Sequence, residues 1–187
     1  MLACVTSAPA LGNLRTSPAL SATDLLAAPV TAFLRTWPDA DDVAVAPIDP
    51  GLADTAAFVD AYGVPPDASA NCVVVAGRRD GVERVAACVV LATTRADVNG
   101  AVRRLLDVRK ASFLPMDRAV EETGMEYGGI TPLGLPSGWR VLVDARVAAV
   151  ENVVVGSGVR HSKLVLPGRL LAAVPAAEVV EGLANPI

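Results

Sequence analysis

The chain has 187 residues, a net charge of −4 and 52% hydrophobic residues, with aromatics at only 4%. That length suits one domain with a sizeable core, and the acidic balance argues against a protein that coats nucleic acid, DNA included, by neutralising many phosphates. Charges, Gly or Pro break every apolar run before the ~18 residues of a membrane span, and Met1-Leu2-Ala3-Cys4-Val5-Thr6 lacks the basic start of a secretory signal. A cytoplasmic protein with no membrane partner is the expectation.

Residues 1–20, rich in Ala, Ser, Thr and Pro without a period, read as an irregular extension. Ser21-Ala22-Thr23-Asp24 then precedes Leu25, Leu26, Val30, Phe33 and Leu34, one face of a helix with a candidate kink at Pro29 and an end before Pro38. Val43–Ala46 reads as a short strand, and residues 21–51 are expected to pack as an N-terminal segment on the core. From Leu52, the stripe Ala57, Phe58, Ala61 and Tyr62 predicts a helix closed by Gly63 before Pro65-Pro66. The β-branched runs Cys72–Ala76 and Val85–Leu91 predict a hairpin turning at Asp80-Gly81, with both strands buried on both faces. Thr94-Arg95-Ala96-Asp97 has a capping pattern, and Val98, Val102, Leu105 and Leu106 follow at helical spacing. Lys110–Leu114 suits a short strand, and Pro115 and Gly124 bracket a helix over Met116–Thr123. Arg140–Asp144, Asn152–Gly156 and Lys163–Leu166 read as strands, and Gly168–Val174 as a short helix. Hairpins mixed with crossovers predict an α/β (α+β) fold: a mixed, mostly antiparallel β-sheet surrounded by helices.

The cysteines, Cys4, Cys72 and Cys88, are odd in number and form no CxxC pair, and His161 is the single histidine. Neither a disulfide framework nor a metal site is indicated, and no cofactor is expected. The basic clusters at Arg78-Arg79, Arg103-Arg104, Arg109-Lys110 and Arg160-His161-Ser162-Lys163 either converge on one face or are solvated separately. The most unusual stretch is Glu126-Tyr127-Gly128-Gly129-Ile130-Thr131-Pro132-Leu133-Gly134. Glycine admits positive φ and close backbone approach, and Pro132 holds Thr131 extended, so successive peptide groups can be fixed facing outward. Such a loop is either a plain turn or a cradle for a phosphate or an ester carbonyl.

The order Glu121-Glu122-Thr123-Gly124, Gly128-Gly129-Ile130-Thr131-Pro132-Leu133-Gly134, Val143-Asp144-Ala145 and Gly156-Ser157-Gly158 resembles the YbaK/EbsC family. Its members are aminoacyl-tRNA deacylases related to the editing domain of bacterial prolyl-tRNA synthetase. The resemblance covers roughly residues 52–184 and marks 52–187 as an editing-type domain. It implies hydrolysis of a small, wrongly attached amino acid from tRNA, of the Cys-tRNA(Pro) or Ala-tRNA(Pro) type, by backbone groups and a positioned water.

On that resemblance Gly128 and Pro132 shape the signature loop, Thr131 lines it, and Gly129 and Ile130 contact substrate. Asp144, Gly156, Ser157 and Gly158 match positions near the pocket. Many members carry a lysine where this chain has Asn71, an amide that hydrogen-bonds but cannot neutralise a phosphate. Arg78, Arg109 or Lys163 could supply the missing cation to tRNA if the fold brings them to the pocket. The implied partners are the aminoacylated tRNA 3′ end and an aminoacyl-tRNA synthetase. The alternative is a binding module of the same fold that has lost catalysis and recognises an aminoacyl-tRNA end, an amino acid or a synthetase.

Overall fold

The computed structural model describes residues 11–187, so Cys4 and the first half of the expected extension lie outside the described residues. The elements run β1 (Ser17–Pro18), α1 (Ala28–Leu34), β2 (Ala44–Pro47), α2 (Thr55–Tyr62), β3 (Ala70–Arg79), β4 (Val82–Leu91) and β5 (Thr94–Ala96). A wide helical turn over Val98–Val102 enters α3 (Arg103–Leu105), followed by β6 (Ala111–Phe113), α4 (Met116–Thr123), β7 (Arg140–Asp144) and α5 (Ala145–Ala148). Last come β8 (Val153–Gly156), β9 (Ser162–Leu166), α6 (Gly168–Leu171), β10 (Ala177–Val180) and β11 (Ala184–Pro186).

Strand alternation builds the layers. Successive strand residues face opposite sides, so Val153 and Val155 of β8, Leu164 and Leu166 of β9, and Val45 of β2 enter one cluster. Val89 and Leu91 of β4 with Val141 and Val143 of β7 enter the same cluster, joined by Val30 and Leu34 of α1. The intervening Cys88, Val90 and Leu142 pack on the far side against Val102, Leu106 and Leu183, and Val154 and Val165 pack against Phe58 of α2. The central cluster thus lies between a four-stranded sheet, ordered β1-β2-β9-β8, and a five-stranded sheet, ordered β10-β7-β4-β3-β6, with β11-β5 as a separate pair. A parallel bridge between Ser69 and Val154 ties the two larger sheets together just before β3. Pairing is antiparallel except that β7 runs parallel to both β4 and β10, so the expected mixed, mostly antiparallel α/β architecture is present.

Local chemistry explains the boundaries. Asp80 (φ 52°) and Gly81 (φ 82°) both take positive φ, the two-residue hairpin turn that matches strand twist, and the β3–β4 hairpin turns where expected, with Arg79 opposite Val82. Gly63 and Gly124 end α2 and α4 in the left-handed conformation. Pro115 stops β6 and opens α4, because it has no N–H to donate to a ladder and its φ suits a helix start.

Three expectations are corrected. Pro29 does not kink a helix but sits at its first turn, where the missing N–H costs nothing, and residues 19–25 form tight turns instead of an earlier helical face. Thr94 is not the cap of the next helical segment; it lies in β5 and donates to the Leu91 carbonyl at 2.9 Å. The cap is Asp97, whose two carboxylate oxygens accept from the N–H groups of Gly100 (2.9 Å) and Ala101 (2.8 Å). Nor is β3 buried on both faces: Asn71, Cys72 and Val73 are partly open, because they border a cavity.

Removing both oxygens in Asp97→Ala leaves two helix-start donors unpaired and is expected to cost about 1–2 kcal/mol, read as a lower urea midpoint at unchanged m-value.

Candidate functional site

The glycine-rich loop is shaped by a second loop packed against it. Gly158 N–H donates to the Gly129 carbonyl at 2.8 Å, and Glu126 N–H donates to the Gly158 carbonyl at 2.8 Å. Gly129 N–H closes a turn onto the Glu126 carbonyl at 2.9 Å, and the Glu126 carboxylate accepts from Arg160 N–H at 2.6 Å. This contact has no room for side chains. A Cβ on Gly129 would stand 2.6 Å from the Val159 carbonyl oxygen, and one on Gly156 would run into the carbonyl oxygens of Gly129 and Ile130. Gly128 has φ 83°, and a Cβ there would lie 2.5 Å from a guanidinium nitrogen of Arg160. These positions require glycine for backbone approach and for handedness.

Beside this contact opens a cavity of about 430 Å³, bounded by residues 53–55 entering α2, residues 70–74 of β3, Phe113 and Leu114, Tyr127, Gly128 and Ile130 of the loop, and Gly156 and Lys163. Asn71 lies in its wall, and Thr55 Oγ1 donates to Asn71 Oδ1 at 2.7 Å. With its oxygen taken, Asn71 has its NH₂ left over as a donor: it keeps the hydrogen-bonding sense of an ammonium without the charge.

The charge comes from the other sheet. Lys163 extends from β9 into the cavity lining, with Nζ donating to the Ala53 carbonyl at 3.0 Å and lying 5.4 Å from the centre of the Phe58 ring. Burial, helped by the nearby Arg160 cation and opposed by Asp54, pulls its pKa from the ordinary 10.5 down to about 8. Arg160 braces the entrance, donating to the carbonyls of Pro50 (3.2 Å) and Tyr127 (3.4 Å) and pairing with Asp54 at 3.5 Å. Cys72 also borders the cavity, but burial and then Cys88 push its thiol upward, which makes it a poor thiolate. His161 is not part of the lining; its Nε2 lies 3.5 Å from the Asp24 carbonyl. Among the described residues no group of three His, Cys, Asp or Glu is placed to hold a metal ion.

Of the residues named from sequence, Asn71, Gly128, Ile130, Gly156 and Lys163 therefore meet at one cavity. Gly129, Pro132, Ser157 and Gly158 are buried behind it, and Ser157 Oγ is held by Ser162 at 2.7 Å. Thr131 does not line the cavity; it is fully buried, with an Oγ1 that has no partner among the described residues. Asp144 is 1% exposed and lies apart from the cavity. It caps α5 and binds the Arg146 guanidinium, which also donates to the Ala184 carbonyl. Burial opposes its ionisation, but the Arg146 bonds hold its pKa below the ordinary value. Arg78 pairs with Glu83 near the hairpin tip, seven residues along an extended strand from Asn71, or roughly 23 Å. Arg109 faces Asp80 at 3.8 Å at that same tip. Thr55, Phe113, Tyr127 and Arg160 were not singled out from sequence. Tyr127 and Arg160 did stand inside the two unusual stretches, but nothing local marked Thr55 or Phe113.

Two sheets share one core, with a cavity beside paired glycine loops. A candidate trans-editing enzyme for prolyl-tRNA synthetase superimposes with a TM-score of 0.72 at 19% identity, over 85% of this chain and 96% of that one. The hypothetical protein APE2540 superimposes with a TM-score of 0.66 at 21% identity, over 75% of this chain and 90% of its own. At those identities the likeness is one of fold. The family model of the aminoacyl-tRNA editing domain matches residues 49–173, and the chain belongs to that family.

Two outcomes follow from this geometry. Gly129→Ala is expected to destabilise by about 2 kcal/mol or more, as forced backbone separation does, read by thermal melting against the parent protein. For Lys163, a folded pKa of about 8 against 10.5 unfolded means that the unfolded chain binds the extra proton between those values. Stability relative to Lys163→Met should therefore rise as pH goes from 8 to 10.5, measured by paired urea titrations.

Proposed function

We propose that the protein is a free-standing deacylase that hydrolyses the ester of a small, mischarged amino acid on tRNA, of the alanyl or cysteinyl type on proline tRNA. The observation that carries this is the meeting of the glycine loop, the Asn71 amide and the Lys163 ammonium at one cavity. Ester hydrolysis needs donors aimed at the oxygen that gains charge, and fixed donors in a part-dry site are worth about 2.7–4 kcal/mol each. The loop peptides and the Asn71 NH₂ supply neutral donors, and Lys163 supplies a positive charge already stripped of much of its water. No side-chain nucleophile is required, because the polarised ester is attacked by water.

Selection in this reading is by size. Ala53, Ala70, Val73, Val74 and Ile130 border the cavity, and a close-fitting wall excludes a larger cognate side chain, whereas attraction for a missing methylene discriminates weakly. A synthetase partner would deliver the mischarged tRNA before it leaves for the ribosome.

One observation favours a second reading, a binding module without turnover: the Asn71 oxygen is locked by Thr55, so this wall carries no charge. Deacylation of a panel of mischarged tRNAs separates the two. Turnover above the spontaneous rate is expected, falling at least ~10-fold in Lys163→Met and, for the enzyme-dependent part, falling as pH rises through about 8 where the ammonium is lost. No turnover across the panel, with turnover restored by Asn71→Lys, would establish the second reading instead.

A further inference from the structure

Phe113 is 57% exposed although Ala111, two residues before it in β6, and Leu114, next after it, are buried. It borders two cavities: the one described above and a second of about 380 Å³ formed by β5, the turn after it and β11. Arg95 and Asn185 stand opposite each other in the β5–β11 register, so their side chains share a face, and both line the second cavity with Asn99. Arg95 is exposed and has no carboxylate partner among the described residues. Asp97, the one acidic side chain in this lining, has both oxygens engaged by backbone N–H groups. The second cavity therefore offers an aromatic face, two amides and a free cation.

We propose that this second cavity is the subsite for the nucleotide preceding the terminal adenosine of the tRNA, with Phe113 as the stacking wall between the two. The inference rests on the reading of the first cavity as the ester site. An ester held there is joined through one ribose to a phosphate and then to the next base, and that next unit must leave past the rim. The rim residue common to both spaces is aromatic and exposed. A base has a π-face whatever its identity, so an aromatic wall takes it without reading sequence. Arg95 takes the connecting phosphate, and the Asn99 and Asn185 amides meet the base edge or the sugar hydroxyl. An acidic chain can thus hold RNA through a few placed groups in place of a basic surface.

The test uses calorimetry with two non-hydrolysable probes: 3′-alanylamido-adenosine, and the cytidylyl-adenosine dinucleotide carrying the same alanyl amide. The parent protein is expected to bind the dinucleotide about 10-fold tighter or more, the range for one stacked base. Phe113→Ala should abolish that advantage, Phe113→Tyr should restore it, and Arg95→Ala should lower both the advantage and its salt dependence. Tyr127→Ala, which alters only the first cavity, should weaken both probes alike. Equal affinity of the parent for both probes, an advantage that survives Phe113→Ala, or no binding of either probe overturns the proposal. If mischarged tRNA is hydrolysed while the dinucleotide advantage is absent, the subsite alone falls. If neither hydrolysis nor adenosine-probe binding occurs, the ester-site reading falls with it.

Discussion

The site depends on two loops meeting backbone to backbone. The Gly158–Gly129 and Glu126–Gly158 hydrogen bonds hold the segment after α4 against the β8–β9 connection. Each peptide group used there is one that water would otherwise have to satisfy. The contact brings chain segments about thirty residues apart into one rigid wall, and it also ties the two sheets, because β8 belongs to one and α4 follows the edge strand of the other. Glycine at 129 and 156 is thus a requirement of distance, whereas glycine at 128 is also one of handedness.

Around that wall the polar groups are divided between sheets. The amide of Asn71 stands on β3 and the ammonium of Lys163 on β9, and each is held by the segment that enters α2, Asn71 through Thr55 and Lys163 through the Ala53 carbonyl. Arg160 fastens that same segment to the glycine loop. Residues 50–55 act as a strap across the cavity, so the electrostatics of Lys163 and the orientation of Asn71 depend on one short stretch of chain. Lys163 is held partly desolvated beside a second cation, an arrangement that costs stability at neutral pH.

Much of the fold was legible because its signals are local. The Asp80-Gly81 turn, the Gly63 and Gly124 caps and the Pro115 start each rest on one residue's backbone preference, and the structure has each of them where expected. The short strands β1, β5, β10 and β11 were missed, since two to four residues are too few to carry a period that can be read. The site was legible only in part. The Glu126–Gly134 stretch announced itself by composition, but which cation reaches it is a matter of sheet register: Lys163 pairs with Gly156 across β8–β9, and that pairing puts the lysine beside the cavity. Asp144 and the Arg78 and Arg109 cations were equally plausible in a linear sequence, and the fold engages them elsewhere.

Pro115 has a consequence for β3 as well as for β6. Leu114 N–H is the last donor that the edge strand offers, to the Val74 carbonyl at 2.9 Å. By the alternation of antiparallel pairing, the next main-chain groups of β3 that face the same way are those of Cys72, which lies beyond the end of β6 and borders the cavity. An open edge of this kind ordinarily invites another chain to add itself to the sheet. Here Leu114, Tyr127 and Ile130 stand around it as part of the cavity lining. The hollow therefore stands where β6 would otherwise have continued along β3, so the proline that starts α4 also makes room for the cavity.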